Sequence, residues 1–211
     1  MRYDGKKSFF RISRCLFTVF CCFFTLFSTP VTNAISLSTI DDGGNKIEVR
    51  DWTLEDAPKL VPVLNNPKIL DNIRDGIPFP YTVASAEWFI NDCLSSPKDS
   101  VFQFAVVYNG TIVGNVGVTR QDNIHSRTAE LGFYIGEEFW GKGIATHAVK
   151  MICSFVFENT NIIRIFAKVF STNLGCCRVL EKSGFMCEGV LHSDAIKNGN
   201  VLDVKIYGLL K

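Results

Sequence analysis

Residues 128–157 run without a break from TAELGFYIG, through EEFWGKG, into IATHAVKMICSFVF. In the first part Ala129, Leu131, Phe133 and Ile135 fall on one side and Glu130, Gly132 and Tyr134 on the other, the period of two that a strand requires. In the third part Ile144, Ala148, Val149, Ile152, Phe155 and Val156 recur at helical spacing and predict a helix over residues 143–157 with one buried face. A strand that passes through glycines into an amphipathic helix points to a mixed α/β domain.

The flanking sequence extends that pattern. KIEVRDW from Lys46 alternates as a short strand. TLEDAPKLVPVLNN carries a capping Thr53 with Asp56 three residues on, and Pro58 and Pro62 predict a short or kinked helix. After the loop GIPFPYT, residues 84–94 read as a second helix. VFQFAVVYNGTIVGNVGVTR is two β-rich runs joined by Asn109-Gly110, a pair that supplies the positive φ angles of a tight hairpin turn. Then come strand IIRIFAKVF, helix NLGCCRVLEKS ending at Gly184, strand GFMCEGVL, turn KNGN and strand VLDVKIYGLL.

Three regions are expected: an apolar leader over 1–34, a linker over 35–45 and one domain over 46–211. The leader has a basic start and the apolar run CLFTVFCCFFTLF, the grammar of a signal, anchor or targeting segment. At 13 residues that run is short for a membrane span, which needs about 20, but continued to Leu37 it could associate residues 15–37 with a membrane. Five of 22 basic and one of 21 acidic residues lie before residue 35, which leaves the body with 17 and 20, a balance of −3. Without basic blocks, that balance excludes nucleic acid as the primary ligand. Of eight cysteines, five (Cys93, Cys153, Cys176, Cys177, Cys187) lie in the body. They lack zinc spacing, the three histidines are scattered, and no metal is expected. Unpaired thiols imply a reducing compartment, cytoplasmic or organellar.

The glycine turn suggests a ligand. A helix starts with unpaired N–H groups and a partial positive charge that attract phosphate. Gly141 and Gly143 remove obstructing β-carbons, Ala145 keeps the first turn slim, and Lys142 and Thr146 offer donors. The stretch is neither a P-loop nor a dinucleotide fingerprint, since the residues those motifs require are missing.

The order strand, WGKGIA, helix, strand, then NLGC and LEKSGFMCEG resembles the GNAT acetyltransferase superfamily, and within it the ribosomal-protein N-terminal-alanine acetyltransferases, over about residues 46–211. The resemblance implies a central, mostly antiparallel twisted sheet of about seven strands with about four helices, splayed at the cofactor site. It implies acetyl-CoA as cosubstrate, with Phe133, Tyr134, Ile135, Trp140, Gly141, Lys142, Gly143, Ile144, Ala145, Thr146 and Asn173 around it. Gly143 and Ala145 match the family's pyrophosphate motif, whereas Trp140 stands where a Gln or Arg is usual.

The implied reaction is direct acetyl transfer to a primary amine. Glu130 is the candidate base, with Asp194 and Glu188 as alternatives. Cys176 stands where the branch often has a serine proposed to protonate the leaving thiolate; on a helix's first turn it could also be biased toward thiolate. Asn173 can cap that helix or hold the pantetheine arm. Phe79, Tyr81 and Trp88 are expected near an acceptor such as a peptide N-terminus, a polyamine or an aminosugar. A monomer or homodimer is expected. The rival reading is a non-catalytic acyl-CoA-binding module.

Overall fold

The computed structural model describes residues 34–211, and the expected leader lies outside them. Within this unit eight strands form one sheet in the order β1-β2-β3-β4-β5-β6-β8-β7. They are β1 (Ser36–Ile40), β2 (Lys46–Arg50), β3 (Val101–Tyr108), β4 (Thr111–Arg120), β5 (Thr128–Ile135), β6 (Arg164–Phe170), β7 (Met186–Lys197) and β8 (Asn200–Leu210). Every pairing is antiparallel except β5 with β6. The helices are α1 (Ala57–Leu64), α2 (Pro67–Leu70), α3 (Val83–Ser95), α4 (Ile144–Asn159) and α5 (Leu174–Lys182).

The count is one strand above expectation because residues 35–45 are not a linker. Ser36 to Ile40 pairs residue by residue with Arg50 to Lys46. This also corrects the apolar run extended to Leu37: Leu37 stands in the sheet opposite Val49, with its side chain against the core. Among the described residues no helix is long and apolar enough to cross a membrane.

Each face of the sheet has its own core. The α4 residues Ile144, Ala148, Val149, Ile152 and Val156 are buried with Val116, Val118, Ala129, Leu131 and Ile135. On the opposite face Leu60, Leu64, Ala86 and Ile90 of α1 and α3 pack with Trp52, Ala105, Val107 and Ile112. The two-residue period of β5 serves both faces, since Leu131 and Ile135 belong to the first core and Tyr134 packs against the second. Both Asn-Gly turns take positive φ, at Asn109 (48°) with Gly110 (81°) and at Asn198 (50°) with Gly199 (76°).

One buried ion pair closes the start of α1. Asp56 is 1% exposed and accepts from Arg50 Nη1 at 2.7 Å, Arg50 Nη2 at 2.9 Å and the Thr53 amide at 3.1 Å. Burial alone would raise its pKa, but the guanidinium and the amide together hold it below its ordinary 3.8. A carboxyl depressed in the folded state stabilises the fold fully above its unfolded pKa and loses that contribution as pH falls through the folded one. Asp56→Asn should therefore cost about 3 kcal/mol near neutral pH, and urea titrations should show the gap from wild type closing as pH falls below 3.8.

Candidate active site

The parallel pair β5–β6 builds the site. Pairing holds for three rungs, ending at Glu130 opposite Phe166. Beyond that rung β5 stays with β4 as far as Ile135, and β6 stays with β8 as far as Phe170, so the two strands part. Both run in the same direction, and the helices that follow them, α4 and α5, begin at the same end of the sheet. Two helix N-termini therefore flank the opening.

The free edge of β5 can be assigned atom by atom. The Gly136 amide donates to Val113 O on β4 at 2.7 Å. Backbone groups alternate sides along a strand, so Gly132 and Tyr134 also face β4, while Phe133 and Ile135 face the gap. Trp140 Nε1 donates to Ile135 O at 2.6 Å. The edge thus offers the Phe133 N–H and C=O and the Ile135 N–H. Tyr134, expected at the cofactor, contributes no backbone group to the gap. Its ring packs against the second core, where desolvation holds its hydroxyl protonated.

The glycine turn follows at once. Gly141 and Gly143 both have φ of 77°, and Gly143 is the residue before the first turn of α4. No side chain caps this helix, and among the described residues the N–H groups of Ile144, Ala145 and Thr146 have no acceptor. A Cβ on Gly141 would meet nothing within 4 Å, and one on Gly143 only His147 Cδ2 at 3.9 Å. Glycine is needed here for left-handed backbone and for open space in front of the amides. Ile144 itself points away into the core at 1% exposure. Lys142 lies with Nζ 5.0 Å from the centre of the Phe139 ring. Trp140 fills the place of the usual Gln or Arg by tying the turn back to the strand end.

At the second helix start, Asn173 Oδ1 accepts from the Cys176 amide at 3.1 Å, so Asn173 is a helix cap. Cys176 is half-buried against the first core, and burial, reinforced by Cys177, pushes its thiol up to about 12. This overturns the expected bias toward thiolate, because desolvation outweighs the helix dipole. All five described cysteines are free.

At the last rung before the strands part, Glu130 is not an isolated carboxylate. Arg74, from the loop after α2, donates to Glu130 Oε1 at 3.0 Å. Phe79 is 64% exposed and lines a cavity of about 280 Å³ together with Leu70, Arg74, Ile77 and Lys197. Tyr81 is 5% exposed, its backbone bonded to Asn65, and so is core rather than lining. Trp88 is 71% exposed on α3 and is absent from that cavity's wall. The alternative carboxylates are also placed: Glu188 is paired with Arg164, and Asp194 is exposed on β7. Among the described residues no group of three or more His, Cys, Asp or Glu side chains could hold a metal ion.

The acetyltransferase (GNAT) domain model matches residues 46–186, a range that includes the parting strand pair and the uncapped, glycine-led helix. The chain belongs to the GNAT acetyltransferase family. This GNAT chain is 29% identical to the uncharacterized N-acetyltransferase p20 of Bacillus licheniformis over 170 residues, 79% of this chain and 93% of that protein. The ribosomal-protein-S5-alanine acetyltransferase of Vibrio fischeri shares its fold with a TM-score of 0.72 at 22% identity, over 82% of this chain and 96% of that one. The microcin C7 self-immunity acetyltransferase, in complex with acetyl-CoA and AMP, has a TM-score of 0.70 at 24% identity, over 78% and 92%. Neither Arg74 nor Lys197 carried a signal in the sequence, since each acts on residues 56 or more positions away.

Proposed function

We propose that this protein transfers the acetyl group of acetyl-CoA to the α-amine of a peptide by direct attack within a ternary complex. The observation that carries the reading is the free edge of β5 lying between two helix N-termini. The amides of Ile144, Ala145 and Thr146 suit a pyrophosphate, and the Phe133 and Ile135 edge suits the amides of a pantetheine arm. Acetyl-CoA supplies the activated acyl group. The protein orients it along the strand edge and supplies a carboxylate on the acceptor face.

The acid–base chemistry favours an α-amine. A peptide α-amine titrates near ~7.7–8.0 and is partly neutral at physiological pH, whereas a lysine-like amine near ~10.4 needs a much stronger base. Glu130, acting directly or through water, is adequate for the first and poor for the second. Charge points the same way. Asp71, Asp75 and the adjoining Glu130 stand against Arg74 and Lys197, a surplus of one negative charge that suits a single ammonium better than the several of a polyamine. Cys176 stays a neutral thiol, so it hydrogen-bonds the departing thiolate. Full proton transfer from it would be uphill, since an ordinary thiol titrates near ~8.5, and an acetylated Cys176 is not part of the route.

Calorimetry with acetyl-CoA followed by thiol-release assays tests this reading. A set of peptide amides, spermidine and an aminosugar would serve as acceptors. Turnover should be fastest with a peptide amide. Binding without turnover on any amine would leave the acyl-CoA-binding module as the function, and preferential turnover of spermidine would overturn the α-amine assignment.

A further inference from the structure

The Arg74–Glu130 contact differs from the other arginine–carboxylate pairs among the described residues. Arg50 grips Asp56 with two nitrogens, and Arg164 grips Glu188 likewise. Arg74 reaches Glu130 through one nitrogen at 3.0 Å, with its side chain 80% exposed while Glu130 is 24% exposed. An exposed, single-contact pair is weak and easily exchanged.

The backbone that carries Arg74 is held on both sides. Lys197, whose side chain is only 10% exposed, donates from Nζ to Ile73 O at 2.9 Å and to Asp75 Oδ1 at 2.6 Å. Asn198 Nδ2 donates to Asp71 Oδ1 at 2.7 Å. The tip of the β7–β8 hairpin thus clamps the residues immediately before and after Arg74, so what can move is the Arg74 side chain alone. Beside it lies the 280 Å³ cavity with Leu70, Ile77 and Phe79 in its wall, room for part of a peptide rather than for a large ligand.

Building on the acetyltransferase reading above, we propose that Arg74 sets acceptor specificity by occupying the acceptor's cation site. In the acceptor-free protein its guanidinium stands on Glu130, and an acceptor binds by bringing an ammonium that takes its place. A neutral or anionic small molecule does not displace it. Because a guanidinium stays charged at all physiological pH values, this competition does not relax as pH rises. The incoming amine loses its proton to Glu130 or to water only after the exchange, when the carboxylate is free to accept it.

The test is steady-state kinetics on the full chain with a peptide amide, which has one ammonium and no carboxylate. Wild type, Arg74→Ala and Arg74→Lys would be compared, with thermal melts to verify folding. An exposed pair of this kind corresponds to a change of up to about fivefold. Arg74→Ala should lower KM for the peptide about three- to fivefold with kcat kept within about twofold. Guanidinium ion, added back, should inhibit Arg74→Ala competitively with the peptide and do so more strongly than it inhibits wild type. Arg74→Lys should stay near wild type. An unchanged or raised KM in a well-folded Arg74→Ala overturns the proposal, a raised one meaning that Arg74 holds the acceptor itself. If wild type turns over no amine, the acetyltransferase reading fails and takes this proposal with it.

Discussion

Replacing Gly114 by alanine will destabilise the domain by about 3 kcal/mol or more and lower its melting temperature by roughly 6–12 °C. Gly114 lies in β4 directly opposite Ile135. A Cβ there would be driven inside contact distance of the Tyr134 carbonyl oxygen and would stand 3.0 Å from Ile135 Cα. Both are backbone atoms of the neighbouring strand, so no side chain can rotate to make room and the strands must separate. Gly132, one strand across, is the control. Its Cβ would meet nothing within 4 Å and its φ is not positive, so Gly132→Ala should melt within about 2 °C of wild type. Circular dichroism melts of the two variants decide the matter, and equal melting temperatures would show that β4 and β5 are less tightly registered than described. Because Phe133 and Ile135 present the free edge, the Gly114 variant should also bind acetyl-CoA more weakly at temperatures where it remains folded.

That prediction rests on a contact between residues 20 apart in sequence, and the distinction between near and far explains what could be read in advance. The alternation of β5, the stripe of α4 and the two Asn-Gly turns are local patterns, and each lies where the sequence placed it. The glycine turn was legible for the same reason: its function needs consecutive residues. Strand β1 was missed because SLSTI is short and serine-rich, and an edge strand with one wet face has little apolar alternation to show. The extension of β7 through His192 to Lys197 was missed too, since this edge strand is exposed along most of its length and carries no buried stripe. Tyr81 gives no sign of its burial in the sequence because an aromatic in the loop GIPFPYT, between Pro80 and Thr82, has no periodicity to show which way it points. Arg74 and Lys197 depend on tertiary contacts with Glu130 and Asp75, and no spacing rule joins such residues.

The second large effect concerns the glycine turn itself. Gly143→Glu should weaken acetyl-CoA binding by at least about a hundredfold, equivalent to about 2.8 kcal/mol, while the domain stays folded. Gly143 has a φ of 77°, so any side chain there costs about 1–2 kcal/mol of backbone strain. Packing does not add to that cost, since the nearest atom to a new Cβ is His147 Cδ2 at 3.9 Å. The larger loss is electrostatic: a carboxylate placed before the first turn of α4 occupies the free amides of Ile144, Ala145 and Thr146 and repels a second anion. Gly143→Ala separates the two causes, because it carries the strain without the charge and should lose no more than about tenfold, the worth of ~1.4 kcal/mol. Calorimetric titration of both variants with acetyl-CoA distinguishes the cases. If alanine and glutamate weaken binding equally, left-handed backbone geometry rather than anion attraction governs the site. If glutamate leaves affinity intact, the phosphates bind elsewhere, and the free edge of β5 must hold acetyl-CoA without the helix.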